Sequence, residues 1–172
     1  AFLQIKISNY SDQYTGVLKY FFEDLEHKKI NFFTDISNYL SYETGQPTHC
    51  YDSSKLNGKL KLERNSKVAK FYSLLEKELV ISKNELVFTA DDEIINLAGV
   101  VGSKNTACSK NTKSVIVECA YFNPEDIIGK SIKHNINSEA AYKFERGVDP
   151  LSHEYVLRRF IQIAEENSNI EE

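Results

Sequence analysis

Val115-Ile116-Val117-Glu118-Cys119-Ala120-Tyr121-Phe122 limits the fold more than any other stretch of the chain. A continuous apolar run of this length reads as a strand buried on both faces. The single carboxylate inside it must be accounted for, because an isolated buried charge is strongly disfavoured. Either Glu118 ends the strand or meets a basic side chain and is structural, or it lines a pocket and receives a donor from a ligand. The strand needs partners on both edges and cover on both faces. The 172 residues suffice for one domain with a real core, and ten Phe with ten Tyr are available to fill it.

The flanking segments supply that cover. Phe2 to Ile7 and Tyr14 to Phe22 read as strands. Ile30, Phe33, Ile36, Ser37, Leu40 and Ser41 recur at helical spacing, with Asn31 as N-cap and Gly45 as stop. Gln46 to Asp52 runs extended, since Pro47 keeps Gln46 out of helical geometry. Ser53 to Asn57 is a short turn or helix. From Lys59 to Ala98 short antiparallel strands follow, with Asp91-Asp92 as a turn. Gly99 and Gly102 around two valines imply a bulge or a close backbone approach. Ser103 to Ser114 is polar and reads as a surface loop. Asn123-Pro124-Glu125-Asp126 and Asn137-Ser138-Glu139 open short helices. A last helix runs from Leu151 to about Asn167, with Val156, Leu157, Phe160, Ile161 and Ala164 as its apolar stripe. The expected architecture is α+β: mostly antiparallel sheets packed with helices, in a single domain spanning 1–172.

Composition excludes several functions. A net charge of −4, from 21 basic and 25 acidic side chains, argues against holding nucleic acid by charge alone. Scattered phosphate contacts near Lys59, Lys61, Arg64, Arg158 and Arg159 are the most that is expected. Cys50, Cys108 and Cys119 are odd in number and widely spaced, which predicts neither a disulfide framework nor a zinc site. His27, His49, His134 and His153 show no metal-ligand spacing, so no metal is expected. No apolar run approaches the ~20 residues of a membrane helix, and no signal peptide is evident. The chain starts at Ala1 and has no Met, which reads as a fragment of a longer parent. There is no nucleophile elbow, phosphate loop or dinucleotide fingerprint. Singly, His49 reads as a surface or core histidine, Glu145-Arg146-Gly147 as a helix end, and Arg158-Arg159 as a solvated face.

Six blocks in order change this reading: Asp35-Ile36-Ser37-Asn38-Tyr39, Glu43-Thr44-Gly45-Gln46-Pro47-Thr48-His49, Tyr51-Asp52, Leu97-Ala98-Gly99-Val100-Val101-Gly102, Glu118-Cys119-Ala120-Tyr121-Phe122-Asn123-Pro124 and Phe144-Glu145-Arg146-Gly147-Val148-Asp149-Pro150. Together they resemble the central editing module of the phenylalanyl-tRNA synthetase beta subunit. The resemblance runs from about Asp35 to Leu157. It implies a cytoplasmic module that hydrolyses tyrosyl-tRNA(Phe) made in error. The parent synthetase then ligates phenylalanine to tRNA(Phe) with ATP and Mg²⁺. That chemistry belongs to the alpha subunit of an alpha2beta2 assembly, and no cofactor is implied for the module itself. The implied partners are the tRNA(Phe) acceptor end and the alpha subunit.

The resemblance also implies roles. Glu118 receives the tyrosine hydroxyl, Gly102 keeps the pocket open, and Ser138 and Ala140 form its opposite wall. Ser37 and Asn38 line it, and His49 positions water or the terminal ribose at the ester, making it the candidate catalytic residue. Ser103 replaces a glycine common in the family, Ser138 a threonine, and Ala141 a serine. The stretch Glu23 to Asn31 is shorter than the family's. A rival reading is a non-catalytic scaffold docking tRNA or the alpha subunit, and another is an unrelated RNA-binding domain. If Glu118 is tied up by Arg146 or a lysine, the scaffold gains.

Overall fold

The computed structural model describes residues 1–171. In chain order its elements are β1 (Phe2–Tyr10), α1 (Gly16–Lys19) running into a π-helical turn (Tyr20–Asp24), α2 (Phe32–Thr44), β2 (Thr48–Asp52), a 3₁₀ turn (Ser53–Lys55), β3 (Leu60–Arg64), β4 (Ala69–Tyr72), β5 (Glu78–Ile81), β6 (Leu86–Ala90), β7 (Glu93–Leu97), β8 (Val101–Gly102), β9 (Ser114–Cys119), α3 (Pro124–Ile127), α4 (Lys130–Lys133), α5 (Glu139–Phe144), α6 (His153–Asn167) and β10 (Ser168–Ile170). Helices and antiparallel sheets make it an α+β protein, as expected. Its contacts gather into two compact units, each discontinuous in sequence.

The first unit holds residues 1–54, 108–120 and 149–172. Its sheet has the order β10-β1-β9-β2, so the Glu118 strand is central. Both neighbours of β9 run antiparallel to it, with Phe2 and His49 opposite Glu118 and Leu3 and Cys50 opposite Val117. Alternation therefore sends Cys50, Val115, Val117 and Cys119 to one face, where they join Phe33, Ile36 and Leu40 of α2 and Val156, Phe160 and Ile163 of α6 in one core. Asn31 caps α2, its side chain accepting from the Thr34 N–H at 3.1 Å, and Gly45 ends the helix at φ 76°. Arg159 of α6 grips Glu43 of α2 through two bonds of 3.0 and 2.9 Å.

The segment Tyr14 to Phe22 corrects the strand expected there. Tyr14, Leu18, Phe21 and Phe22 are all buried, a spacing that puts them on one side of a helix. The short apolar cluster hid this period, because a brief run is compatible with either element. On α6 the buried apolar positions are Val156, Phe160, Ile163 and Ala164, while Leu157 and Ile161 are only half-buried. The edge strand β10 was not anticipated.

The second unit holds residues 55–107 and 121–148. It has a sheet of order β3-β6-β7-β8 and a two-stranded sheet β4-β5, all antiparallel. Asp91 and Asp92 turn β6 into β7 with φ of 47° and 63°. Gly99 (φ 71°) is the close approach expected there. A Cβ on it would lie 2.9 Å from Ile127 Cδ1 and 3.0 Å from the Phe122 ring. The stretch Ser103 to Ser114 is less superficial than its polarity implies. Ser103, Thr106 and Thr112 are buried, and Thr112 Oγ1 donates to Asp52 Oδ2 at 2.6 Å within the first unit.

Candidate functional site

The face of the first sheet opposite the α2–α6 core carries His49 and Tyr51 of β2 and Glu118 of β9. Two-residue periodicity explains why: His49 and Tyr51 are alternate residues, and His49 pairs directly with Glu118. Tyr51 stands opposite Ile116, one diagonal step away, and its phenol reaches back to donate to Glu118 Oε2 at 2.6 Å. The His49 and Tyr51 rings meet edge to face, with centroids 4.5 Å apart and planes at 69°. Tyr51 is fully buried and Glu118 is 5 % exposed.

Burial dominates the electrostatics. It pushes the Glu118 carboxyl up to about 7, against the lowering effect of the Tyr51 hydrogen bond. It pushes the His49 imidazole down to about 4, so this ring is neutral at pH 7. His49 Nε2 is shielded from solvent and has no hydrogen-bond partner among the described residues. Among the described residues of the unit, no lysine or arginine pairs with Glu118, and Oε1 accepts no hydrogen bond. The site is thus a neutral histidine with an unused ring nitrogen beside a carboxyl that burial has raised, with an unused oxygen.

Two other expected residues belong to this unit. Ser37 is buried on α2 and bonds Thr48, at 2.8 Å to its carbonyl and 2.7 Å to its hydroxyl. It therefore fastens the helix to β2 one residue before His49. Asn38 is exposed on the same helix. Tyr51 was missed as a site residue, although its place two residues after His49 put it on the same strand face.

Gly102, Ser138 and Ala140 belong to the second unit. Gly102 lies in β8 opposite Asn96, and its carbonyl accepts from the Leu74 N–H at 2.9 Å. Ser138 is the N-cap of α5, accepting from the Ala141 N–H at 3.1 Å while its hydroxyl donates to the Val100 carbonyl at 2.7 Å. Ala140 is half-buried on that helix. Arg146 stacks on the Tyr142 ring, 3.4 Å from its centroid, and donates to the Tyr142 carbonyl at 2.9 Å. Among the described residues no helix is long and apolar enough to cross a membrane.

Known proteins resemble this chain over most of its length. The pattern of the B3/4 domain family matches residues 6–169. The phenylalanine–tRNA ligase beta subunit of Neisseria meningitidis serogroup B is 38% identical over 122 residues, covering 71% of this chain and 16% of that protein. The beta subunit from Leptospira biflexa serovar Patoc is 37% identical over 143 residues, covering 83% of this chain and 18% of that one. The chain thus spans about a sixth of the length of these curated relatives. A solved N-terminal fragment of the phenylalanyl-tRNA synthetase beta subunit from Pyrococcus horikoshii aligns with a TM-score of 0.49 at 9% identity, covering 67% of this chain and 37% of that one. With its pattern matched almost end to end, the chain belongs to the B3/4 domain family and is similar to one segment of phenylalanine–tRNA ligase beta subunits.

Proposed function

We propose that the chain is the editing module of a phenylalanine–tRNA ligase beta subunit and hydrolyses the ester of tyrosyl-tRNA(Phe). The observation that carries this reading is the state of Glu118. It is a carboxylate buried in an apolar strand, held on one oxygen by a phenol at 2.6 Å and open on the other. Tyrosine exceeds phenylalanine by one hydroxyl, and a hydrophobic synthetic pocket rejects an added hydroxyl only moderately. A second site that hydrogen-bonds that hydroxyl supplies the missing discrimination. Phenylalanine leaves the acceptor unpaired, at a cost of roughly 1–3 kcal/mol, or about 5- to 150-fold.

In this reading water attacks the ester carbonyl, the terminal ribose hydroxyl leaves, and free tyrosine and uncharged tRNA result. His49 is neutral at pH 7, so its ring has one N–H and one acceptor nitrogen, and the unpartnered Nε2 positions the water or the ribose through a single hydrogen bond. A ring lowered to about 4 is a weak base, so positioning carries more of the rate than proton abstraction. Ser37 holds β2 in place next to His49. The parent's ligation of phenylalanine with ATP and Mg²⁺, its alpha subunit and its tRNA(Phe) partner belong to the same proposal, as does a cytoplasmic location.

The test is deacylation of tyrosyl-tRNA(Phe) and phenylalanyl-tRNA(Phe), by the chain and by the reconstituted ligase. The tyrosyl ester is expected to be hydrolysed faster, and Glu118→Ala to abolish that preference. A wild-type protein that treats both esters alike leaves only the docking scaffold.

A further inference from the structure

We propose that Tyr51 is a specificity-determining positioning residue, whose phenol holds one oxygen of Glu118 and so presents the other to an incoming hydroxyl. The proposal rests on the editing reading and names what makes its acceptor selective. A glutamate side chain in an apolar strand has rotamers to choose from and no reason to aim one oxygen outward. Here the choice is removed. The β2–β9 register sets Tyr51 diagonally across from Glu118, and its O–H reaches Oε2 at 2.6 Å, a charge-assisted length. The Tyr51 ring is itself immobilised, since it is fully buried and abuts the His49 ring edge to face at 4.5 Å. A fixed phenol on Oε2 fixes the direction of Oε1, which accepts nothing among the described residues of the unit.

The arrangement has a chemical consequence. Tyr51 carries the same functional group as the tyrosine side chain to be recognised, so the carboxylate already displays the bond the substrate makes. A substrate tyrosine adds a second phenol to the free oxygen, and phenylalanine cannot. The ionised carboxylate is a strong acceptor on both oxygens, whereas protonation turns one oxygen into an O–H donor and weakens it as an acceptor for a second phenol. Burial opposes ionisation and the Tyr51 hydrogen bond favours it, leaving Glu118 near 7. Besides Tyr51, the titratable group facing Glu118 from the adjoining strands is the neutral His49, while the thiols of Cys50 and Cys119 lie on the other face of the sheet, where burial keeps them protonated. Of these, only Tyr51 touches the carboxylate.

The experiment compares wild type with Tyr51→Phe, which removes one oxygen and keeps the ring. The ratio of tyrosyl to phenylalanyl ester hydrolysis is measured from pH 6 to 8.5. In wild type the ratio is expected to rise with pH through a midpoint near 7. In Tyr51→Phe the midpoint moves up, the ratio at pH 7 falls about tenfold, and raising the pH partly restores it. The carboxyl carbon of Glu118 is titrated in parallel by NMR in both proteins, which reads the coupling without any catalysis. An unmoved midpoint in Tyr51→Phe, in either measurement on the folded protein, overturns the proposal and leaves editing intact. Wild-type protein with no tyrosyl preference at any pH removes the editing reading, and this proposal with it.

Discussion

Two buried glutamates, one in each unit, show what burial does with and without partners. Glu118 and Glu85 are 5% and 2% exposed. Glu85 is saturated: Oε1 lies 2.9 Å from His134 Nε2, 3.0 Å from Lys133 Nζ and 3.7 Å from Lys130 Nζ, and Oε2 accepts the Ser82 N–H at 2.6 Å. Burial alone would raise its carboxyl, but His134, the Ser82 N–H and Lys133 outweigh burial and hold it below the usual range. Glu118 has one phenol, and burial wins, raising it to about 7. The same residue type at nearly the same depth is a structural clamp in one unit and a poised acceptor in the other. Partner count separates them, together with the heavier desolvation around Glu118.

The largest effect that can break this comparison is on stability. Glu85→Ala leaves His134 and two lysines facing one another and orphans the Ser82 N–H. It is expected to cost about 3 kcal/mol, and since 1 kcal/mol moves the Tm of a chain this size by about 2–4 °C, melting falls by roughly 6–12 °C. Glu118→Ala is expected to cost much less Tm at pH 8 than Glu85→Ala, since the removal of an underused buried charge offsets the lost acceptor of the Tyr51 phenol, and Glu118→Gln to be intermediate in selectivity because its amide oxygen still accepts. A large Tm loss for Glu118→Ala, with Glu85→Ala harmless, would invert the two roles.

The next effect sharpens the contrast through pH. Glu118 is raised in the fold, so the folded state binds more protons than the unfolded one between about 4.5 and 7, and this group makes stability fall as pH rises through that window. His49 is lowered from 6.5 to about 4, so the unfolded state binds more protons between those values, and this group makes stability fall as pH drops. Each slope amounts to roughly 3 kcal/mol across its window. They oppose one another from about pH 4.5 to 6.5, so each hides the other in wild type. Urea denaturation as a function of pH is expected to uncover one slope in Glu118→Gln and the opposite slope in His49→Gln. Both variants tracking wild type would mean that neither group is perturbed.

A third effect separates the units by charge. The first carries fourteen Asp and Glu against eight Lys and Arg, the second eleven against thirteen. Any attraction for a polyanion therefore rests with the second unit, where Arg64 is already paired with Asp126 at 2.8 Å and Lys70 with Glu78 at 2.7 Å. In the first unit Arg158 and Arg159 are engaged by Glu154 and Glu43. Binding of tRNA by the chain is expected to be weak and to disappear between about 50 and 200 mM salt in filter binding. The smallest effect is local. Gly99→Ala should lower the Tm by a few degrees, because its Cβ meets Ile127 and Phe122 at a φ that alanine resists.

Much of this was legible in the chain. The cap at Asn31, the stop at Gly45, the turn at Asp91-Asp92 and the helix start at Asn137-Ser138-Glu139 were readable because each rests on the local chemistry of one to four residues. The Glu118 strand was readable from its unbroken apolar run, although it ends at Cys119 rather than Phe122. The segment Tyr14 to Phe22 was misread because nine residues rich in aromatics fit a strand or a helix equally well until the core chooses. The roles of Glu118 and His49 came from resemblance, since neither residue type at its position names a chemistry.

The sequence by itself determined the α+β class, the ends of α2, the C-terminal end of α6 and the presence of one carboxylate that a buried strand had to accommodate. These follow from local periodicity and capping, which depend on neighbours along the chain. Only the tertiary structure decided that Glu118 meets Tyr51 while Glu85 gathers His134, Lys133 and Lys130. Tyr51 and Glu118 are 67 positions apart, and His134 and Glu85 are 49. No local rule sets such pairings, because strand register and helix docking are chosen by burial of the whole apolar face. The pairing in turn fixes whether a buried acid is neutralised or left poised.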